Sequence, residues 1–398
     1  MKQTLPFALS KDRSFFESLG DWMGDVLYDE LPEKGFECRD EQIFMAYQIE
    51  KSLKEKSVLF ADSCVGTGKT IAYLLPAISY ARYTGKPALI SCADETLIDQ
   101  LVKKEGDIQK LQDTLGWNID VRLAKSRDQY LCLKRLEHEQ KTNDDDFIEQ
   151  IEDGIPDFVY GHQSLQAVFP YGERSAFPDV SDEDWQKVNY HPIQQCAVCD
   201  IRNRCGQTIH RQNYREAGDL IICSHDFLME HIWTKESRVR EGQMPLLPEV
   251  SMIVLDEGHL LEFAAQRALT YEVQSQTLVS LIDRVAQDGV RERTLRLLET
   301  LQDTHDDFFK ELLVHAHGDG ERLHITKTDL VLQIGKELVK LVEQILEEFV
   351  FESELYTIDE YDLRMVEEYL EQYVFSLQLF VQNGDAVDWV EEKDGLET

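Results

Sequence analysis

Two short strings in the sequence carry the residue types of phosphoryl chemistry. The first is Ser63-Cys64-Val65-Gly66-Thr67-Gly68-Lys69-Thr70. It fits the phosphate-binding pattern Gly-x4-Gly-Lys-[Ser/Thr] except at its first position, where Ser63 replaces glycine. In such a loop successive backbone N–H groups wrap a phosphate, and the following helix aims its positive N-terminus at it. Gly66, Thr67 and Gly68 would form the cradle, Lys69 would neutralise the β- and γ-phosphates of ATP, and the Thr70 hydroxyl would ligate Mg²⁺. The second string is Ile253-Val254-Leu255-Asp256-Glu257-Gly258-His259. An apolar strand ending in Asp-Glu puts two carboxylates at the carboxyl edge of a sheet. Asp256 would hold Mg²⁺ through water, Glu257 would orient or deprotonate an attacking water, and His259 suits a coupling role. Lys69, Asp256, Glu257 and His259 form the candidate catalytic set.

A third signal is Cys132, followed by Cys196-Ala197-Val198-Cys199 and Cys205. Four thiolates could hold tetrahedral zinc or a [4Fe–4S] cluster. Zinc ribbons generally use two Cys-x2-Cys pairs. Here there is one pair, one close single and one distant single, a spacing that favours iron–sulfur. The other four cysteines, Cys38, Cys64, Cys92 and Cys223, lie in or beside apolar runs or the glycine loop and read as packing.

Next to Cys205 the segment Ile201 to Arg215 contains Arg202, Arg204, Arg211, Arg215, His210 and Tyr214 and no acidic residue. Arginine binds phosphate oxygens bidentately, and tyrosine can stack on a base. Lys125, Arg127, Lys134 and Arg135 flank Cys132 in the same way. A nucleic-acid path and a merely solvated basic face are both open on the residues alone.

These groups need elements to position them. Ser57-Val58-Leu59-Phe60-Ala61 reads as a buried strand, Lys69 to Tyr83 as a helix and Ala88 to Cys92 as a second strand. That is the β-α-β pattern of a parallel sheet covered by helices. Asp219 to Cys223 and Ser251 to Leu255 are further runs of strand length. Residues 124–209, rich in Cys, Arg, Asp and Pro and carrying the acidic Asp144-Asp145-Asp146, read as an insertion. Later, Ile334, Leu338, Leu341, Ile345 and Phe349, and then Val366, Leu370, Tyr373 and Leu377, recur at helical spacing. They predict amphipathic helices of a bundle with acidic outer faces, because neither stripe lasts enough heptads for a coiled coil.

The chain has 398 residues, 42% hydrophobic and 29% charged, enough for two or three domains with proper cores. Lys and Arg number 41 against 76 Asp and Glu, a formal net charge of −35. That excludes coating nucleic acid by bulk charge, though not a local basic groove. The N-terminus has no stretch of signal-peptide type and the sequence no run of eighteen apolar residues, so no membrane span and a cytoplasmic location are expected. Outside an oxidising compartment the cysteines suit metal ligation better than a disulfide framework.

With these features in hand the chain resembles the DinG/XPD-type iron–sulfur helicases of superfamily 2, and within them the DinG-like ATP-dependent helicases of Firmicutes. Phe36 to Met45 resembles the family's adenine-reading segment, with Arg39, Gln42 and Met45 at the matching places. Ser91 to Leu101, with Thr96, Leu97, Gln100 and Leu101, resembles the family's segment that follows strand two and touches the DNA backbone. Asp219 to His225 is similar to the family's strand ending in Asn-His, with Ser224 in place of Asn. Asp256-Glu257-Gly258-His259 is a variant of its DEAH box.

The resemblance implies an α/β fold: a P-loop (RecA-like) parallel-sheet motor domain over residues 1–124, 210–262 and 386–398, an iron–sulfur insertion over 125–209 and an α-helical arch over 263–385. It implies a [4Fe–4S] cluster on Cys132, Cys196, Cys199 and Cys205, held in a wedge where strands part. The implied activity is ATP- and Mg²⁺-dependent, 5′→3′ DNA unwinding on single-stranded, fork or flap DNA, in a repair setting. No exonuclease-type domain precedes the motor, so a nuclease role is not expected. The family's Ser-Ala-Thr segment and Gln-x2-Gly-Arg-x2-Arg helix do not occur after residue 259. The expectation is therefore an N-terminal portion, inactive alone, whose second motor domain must come in cis or in trans. Two other readings stay open: a nucleotide- and single-stranded-DNA-binding regulatory module without turnover, and a zinc-stabilised regulatory ATPase.

Overall fold

The fold was analysed in a computed structural model. It describes the chain apart from residues 1–3, 65, 143–145, 162–168, 192–195, 197–198, 241, 287–288, 319, 359, 383–385, 394–395 and 398. Val65 of the glycine loop, the acidic Asp144 and Asp145, and Ala197 and Val198 between two cysteines therefore lie outside the described residues. The chain forms two units, Met1–Tyr190 with Asn203–Leu269, and His191–Arg202 with Thr270–Thr398.

The first unit is built on four parallel strands in the order β2-β3-β1-β4. They are β1 (Ala88–Cys92), β2 (Val121–Ala124), β3 (Leu220–Ser224) and β4 (Ile253–Asp256). Parallel strands carry helices on their faces and therefore read as unbroken apolar runs. β1 is buried at every residue and β3 at four of five. Helix α1 (Phe15–Asp25) opens with a capping box between Ser14 and Glu17, and α2 (Asp40–Glu55) follows. Leu19 and Met23 of α1 and Ile43 and Ala46 of α2 share one core with Leu74, Leu75 and Ile78 of α3 (Lys69–Thr84) and with Ile90 and Ile222 of the sheet. α3 stops where Gly85 takes a left-handed conformation, φ 70°.

An ion pair far apart in sequence fixes the far end of α3. Arg82 donates from Nε to Asp219 Oδ1 and from Nη2 to Asp219 Oδ2, both at 2.9 Å, and Asp219 is fully buried. Asp219 Oδ2 also accepts from the Asp120 N–H at 2.9 Å. The last turn of α3 is thereby tied to the starts of β2 and β3, so the first turn of α3 is held at the opposite, carboxyl end of the sheet.

Helices α4 (Glu95–Val102), α5 (Leu133–Thr142), α6 (Gly206–Arg215), α7 (His225–Arg240) and α8 (Leu261–Ala268) complete the elements that bear candidate residues. The strand expected at Ser57 to Ala61 does not form: residues 57–61 belong to no strand, and Val58 and Phe60 are 81% and 93% exposed. An apolar, β-branched run becomes a strand only against a neighbouring ladder, because strand preference is largely a preference for a covered pleated surface. β4 pairs with β1 alone and is an edge among the described strands, with Ile253 and Leu255 50% and 40% exposed.

The second unit is helical. α9 (Ser275–Ala286), α10 (Glu292–Val314), α11 (Asp329–Leu355) and α12 (Glu360–Val381) share a core, with α10 and α12 packed on α11. Both predicted stripes lie here: Leu338, Ile345 and Phe349 of α11 and Val366, Leu370, Tyr373 and Leu377 of α12 are buried, Ile334 and Leu341 partly so. His305 of α10 sits inside this core, its Nδ1 2.7 Å from the Tyr373 hydroxyl and its Nε2 2.9 Å from the Ser275 carbonyl. A short antiparallel sheet orders β5 (Ala316–His317), β6 (Arg322–Ile325), β7 (Trp389–Lys393) and β8 (Leu396–Glu397). Residues 386–398 were expected to return to the parallel sheet; β7 pairs instead with β6 in this unit. Among the described residues no helix is long and apolar enough to cross a membrane.

Candidate functional site

The glycine loop lies between residue 60 and α3, at the carboxyl edge of the parallel sheet. Gly66 and Gly68 have φ of 86° and 81°, a region L side chains rarely adopt. At Gly68 there is no space either: a Cβ there would stand 2.1 Å from Gln42 Nε2. The Gln42 amide donates to the Gly68 carbonyl at 2.8 Å, and an Arg39 guanidinium N–H donates to the Gly66 carbonyl. The two residues expected to read adenine thus brace the glycine loop from the start of α2. Thr67 folds its hydroxyl back onto the Cys64 carbonyl at 3.1 Å.

Lys69 and Thr70 form the first turn of α3. The Lys69 ammonium is bound by the Glu257 carboxylate and lies 3.3 Å from Asp256 Oδ1. Burial works against its charge, but hydrogen bonds and charge from Glu257 and Asp256 prevail and hold its pKa above the usual lysine value. The Lys69 bond in turn lowers the Glu257 pKa, so that carboxyl stays ionised. Asp256 is buried, and its Oδ2 accepts from the Tyr73 hydroxyl at 3.1 Å. Burial and the adjacent Asp256 charge push the Tyr73 phenol far up, so it remains a donor. Sequence reasoning missed Tyr73, although its place four residues after Lys69 puts both on one face of α3.

Asp256 ends β4, opposite Cys92 of β1. Glu257 follows in a left-handed conformation, φ 56° and ψ 46°, which turns its side chain back toward the loop. His259 is largely exposed, with Nδ1 3.6 Å from Glu257 Oε2. The structure thus brings Arg39, Gln42, Gly66, Thr67, Gly68, Lys69, Thr70, Asp256 and Glu257 to one edge of one sheet. An anion in the loop and a cation between the loop and Asp256 would meet opposite charge at each place. A phosphate in the loop would compete with Glu257 for Lys69.

The candidate DNA residues divide. Thr96 and Gln100 lie on α4, whose N-cap Asp94 accepts from the Leu97 N–H at 2.9 Å. Arg204 donates to the Phe158 and Val159 carbonyls at 3.1 and 3.3 Å, and Arg215 to the Pro245 and Leu246 carbonyls at 2.6 and 3.3 Å. Arg211 hydrogen bonds the Tyr214 hydroxyl, and Arg202 belongs to the second unit. Tyr214 is buried and donates to the Leu246 carbonyl at 3.0 Å, so the base stacking suggested for it is not open to it. Around Cys132, Lys125 pairs with Glu173 at 2.9 Å, Arg127 with Glu230 at 2.7 Å, and Arg135 binds the Asn189 carbonyl at 2.9 Å. Much of what composition offered as a basic strip therefore holds the protein itself together.

Cys132 directly precedes α5, and Cys205 caps α6. Burial raises the Cys205 thiol pKa, but the N–H groups of Thr208 and Gln207 and the charge of Arg211 work the other way. A sulfur at a helix N-terminus suits thiolate ligation. Cys196 and Cys199 belong to the second unit. Among the described residues no three His, Cys, Asp or Glu side chains are gathered as a metal site. Cys92 and Cys223 are buried as expected of packing residues, whereas Cys38 and Cys64 are exposed and fill no core.

No family model matches the chain. It is 52% identical, over 99% of its own length and 62% of the relative's, to the probable ATP-dependent helicase YpvA of Bacillus subtilis. It is 28% identical over 81% of its length to the ATP-dependent DNA helicase YoaA of Haemophilus influenzae, covering 48% of that protein. It is 24% identical over 80% of its length to the 3'-5' exonuclease DinG of Bacillus subtilis, covering 33%. The chain thus spans less than two thirds of each of these relatives.

Proposed function

We propose, from the membership of this chain in the family of YpvA- and DinG-type helicases, that it contributes the nucleotide-binding wall of an ATP-driven DNA helicase. The observation that carries the reading is the Lys69 ammonium set between Asp256 and Glu257 beneath a glycine loop that opens a helix. In this reading Lys69 binds the β- and γ-phosphates, Thr70 and Asp256 hold Mg²⁺, and Glu257 orients the attacking water. Arg39 and Gln42 recognise the adenine from their place against the loop, and His259 passes the state of Glu257 outward. Thr96 and Gln100 contact the DNA backbone, together with Arg202, Arg204, Arg211 and Arg215.

The finer expectations follow from the family. Translocation is 5′→3′ and the substrates are single-stranded, fork or flap DNA. Residues 125–209 form the iron–sulfur domain and 263–385 the arch. Cys132, Cys196, Cys199 and Cys205 would hold a [4Fe–4S] cluster, which braces the domain that parts the strands. The opposing wall of the cleft would come from the portion of the longer relatives that this chain does not cover. An arginine supplied there is worth about 10³- to 10⁵-fold in rate, so turnover by residues 1–398 alone should be near background.

The test is direct binding of Mg²⁺–ATP to the 398-residue chain. Binding that Lys69→Ala severely weakens and that requires Mg²⁺ supports the reading; binding indifferent to Lys69 overturns it. Iron analysis of anaerobically purified protein should give about four irons per chain. Stoichiometric zinc without iron would overturn the cluster and favour the zinc-stabilised regulatory ATPase.

A further inference from the structure

His225 is the first residue of α7, directly after β3, and it is almost wholly buried. Its Nδ1 lies 2.7 Å from the hydroxyl of Ser91, itself fully buried on the central strand β1. Its Nε2 is also buried and closes no hydrogen bond, although it faces the backbone of Glu257 and Asp256. Burial holds the ring's pKa below the usual histidine value, against the Glu257 and Asp256 peptides and the charges of Asp226 and Asp256. A bare Nε2 facing carbonyl oxygens would set lone pair against lone pair. The proton therefore belongs on Nε2, and Ser91 donates to Nδ1.

The peptide that Nε2 faces is the left-handed one at Glu257. Its carbonyl already accepts from the Leu260 N–H at 2.9 Å and has a second lone pair free for another donor. The same turn of α7 grips the far end of this segment: Asp226 accepts from Arg267 of α8 at 2.8 and 3.0 Å. The Glu257 side chain meanwhile is drawn to Lys69. A buried donor that stops short of an acceptor gains when a small shift closes the bond.

We propose that His225 is a positioning residue for hydrolysis: Ser91 locks its imidazole with the proton on Nε2, and that N–H closes on the Asp256–Glu257 backbone when a phosphate takes Lys69, fixing the Glu257 carboxylate toward the attacking water. The inference rests on the reading of Glu257 as the water-orienting group. It gives β1, which pairs with both β3 and β4, a direct connection to the catalytic carboxylate.

The experiment uses the full 398-residue chain with ¹⁵N-labelled histidine. Long-range ¹H–¹⁵N spectra report the tautomer of each ring, and the His225 signals are those lost in His225→Gln. The expected result is an Nε2–H tautomer at His225, whose Nε2 signal moves when Mg²⁺ and a non-hydrolysable ATP analogue are added. Ser91→Ala should release the second tautomer. In a chain extended by the portion that the longer relatives carry, with protein in excess over labelled ATP, His225→Ala should slow the single-turnover rate by about 10²-fold at unchanged nucleotide affinity. His225→Gln, which keeps a donor near the Nε2 position, should retain most of the rate. An Nδ1–H tautomer, or a signal that does not move although the analogue binds, overturns the proposal and leaves the nucleotide site standing. Failure of the analogue to bind any variant overturns the nucleotide-site reading itself, and this proposal with it.

Discussion

Glu257→Gln should make the 398-residue chain bind Mg²⁺–ATP more tightly, not less. In the structure the Glu257 carboxylate holds the Lys69 ammonium that a phosphate needs, and nucleotide must displace it. The two side chains are 32% and 30% exposed, so the pair is solvent-screened and is worth about 0.2–1 kcal/mol. Releasing Lys69 from it should lower Kd about 1.5- to 5-fold. The remaining Asp256 contact at 3.3 Å keeps Lys69 at the loop. Titration with a fluorescent ATP analogue in the presence of Mg²⁺, at low salt and again at 1 M, measures the effect. The gap between wild type and variant should shrink at 1 M salt, where screening extends to about 3 Å. Removing a negative charge near ATP also helps by itself, and the Lys69→Met background separates the two causes. The gain should largely vanish there. A gain that persists undiminished without Lys69, or weaker binding by Glu257→Gln, would refute the argument.

Three other substitutions report on the scaffold. Gly68→Ala should cost nucleotide affinity and at least about 1–2 kcal/mol of stability, because the new Cβ meets Gln42 as well as a left-handed backbone; Gly66→Ala, with no atom within 4 Å, should cost less in thermal melts. Arg82→Met should destabilise the first unit by about 3–5 kcal/mol by leaving Asp219 buried and unpaired, while adding Asp219→Leu should recover much of the loss. Trp117, beneath the Arg82 guanidinium, is a fluorescence probe for urea titrations that check it. His305 has its pKa lowered from 6.5 by burial, so the unfolded chain takes up the proton first. Its contribution to stability is complete above pH 6.5 and is lost as pH falls toward the folded pKa. Melting between pH 7.5 and pH 5 should therefore fall more steeply for wild type than for His305→Gln, and parallel curves would contradict this.

What the sequence disclosed depended on whether the signal was local. The helix after the glycine loop, the strand before Asp-Glu and the stripes of α11 and α12 are read within a few turns of chain, and these elements formed where expected. Val58 and Phe60 show the opposite case: their propensity is for a strand, but a strand needs a partner that local sequence cannot specify. Arg204, Arg215 and Tyr214 were legible as residue types but not as burial, and it is the carbonyls at residues 158–159 and 245–246 that decide what they do. Arg82 and Asp219 are 137 positions apart, Ser91 and His225 134. Only the fold joins such pairs. For His225 the clues were its place immediately after a strand and the resemblance of that strand's end to the family's Asn-His, and neither pointed to Ser91.

The uncovered edge at β4 has a colloidal consequence. Ile253 and Leu255 line an open ladder of backbone donors and acceptors, and Val58 and Phe60 add apolar surface in the same unit. Such an edge is a template for pairing with another molecule. The formal charge of −35 opposes that pairing by mutual repulsion, which is long-ranged only in dilute salt. Solubility is thus a balance between a sticky rim and a repulsive shell. Concentrated sulfate or chloride collapses the shell and leaves the rim, so this chain should be most monodisperse at low ionic strength, where many proteins are least so.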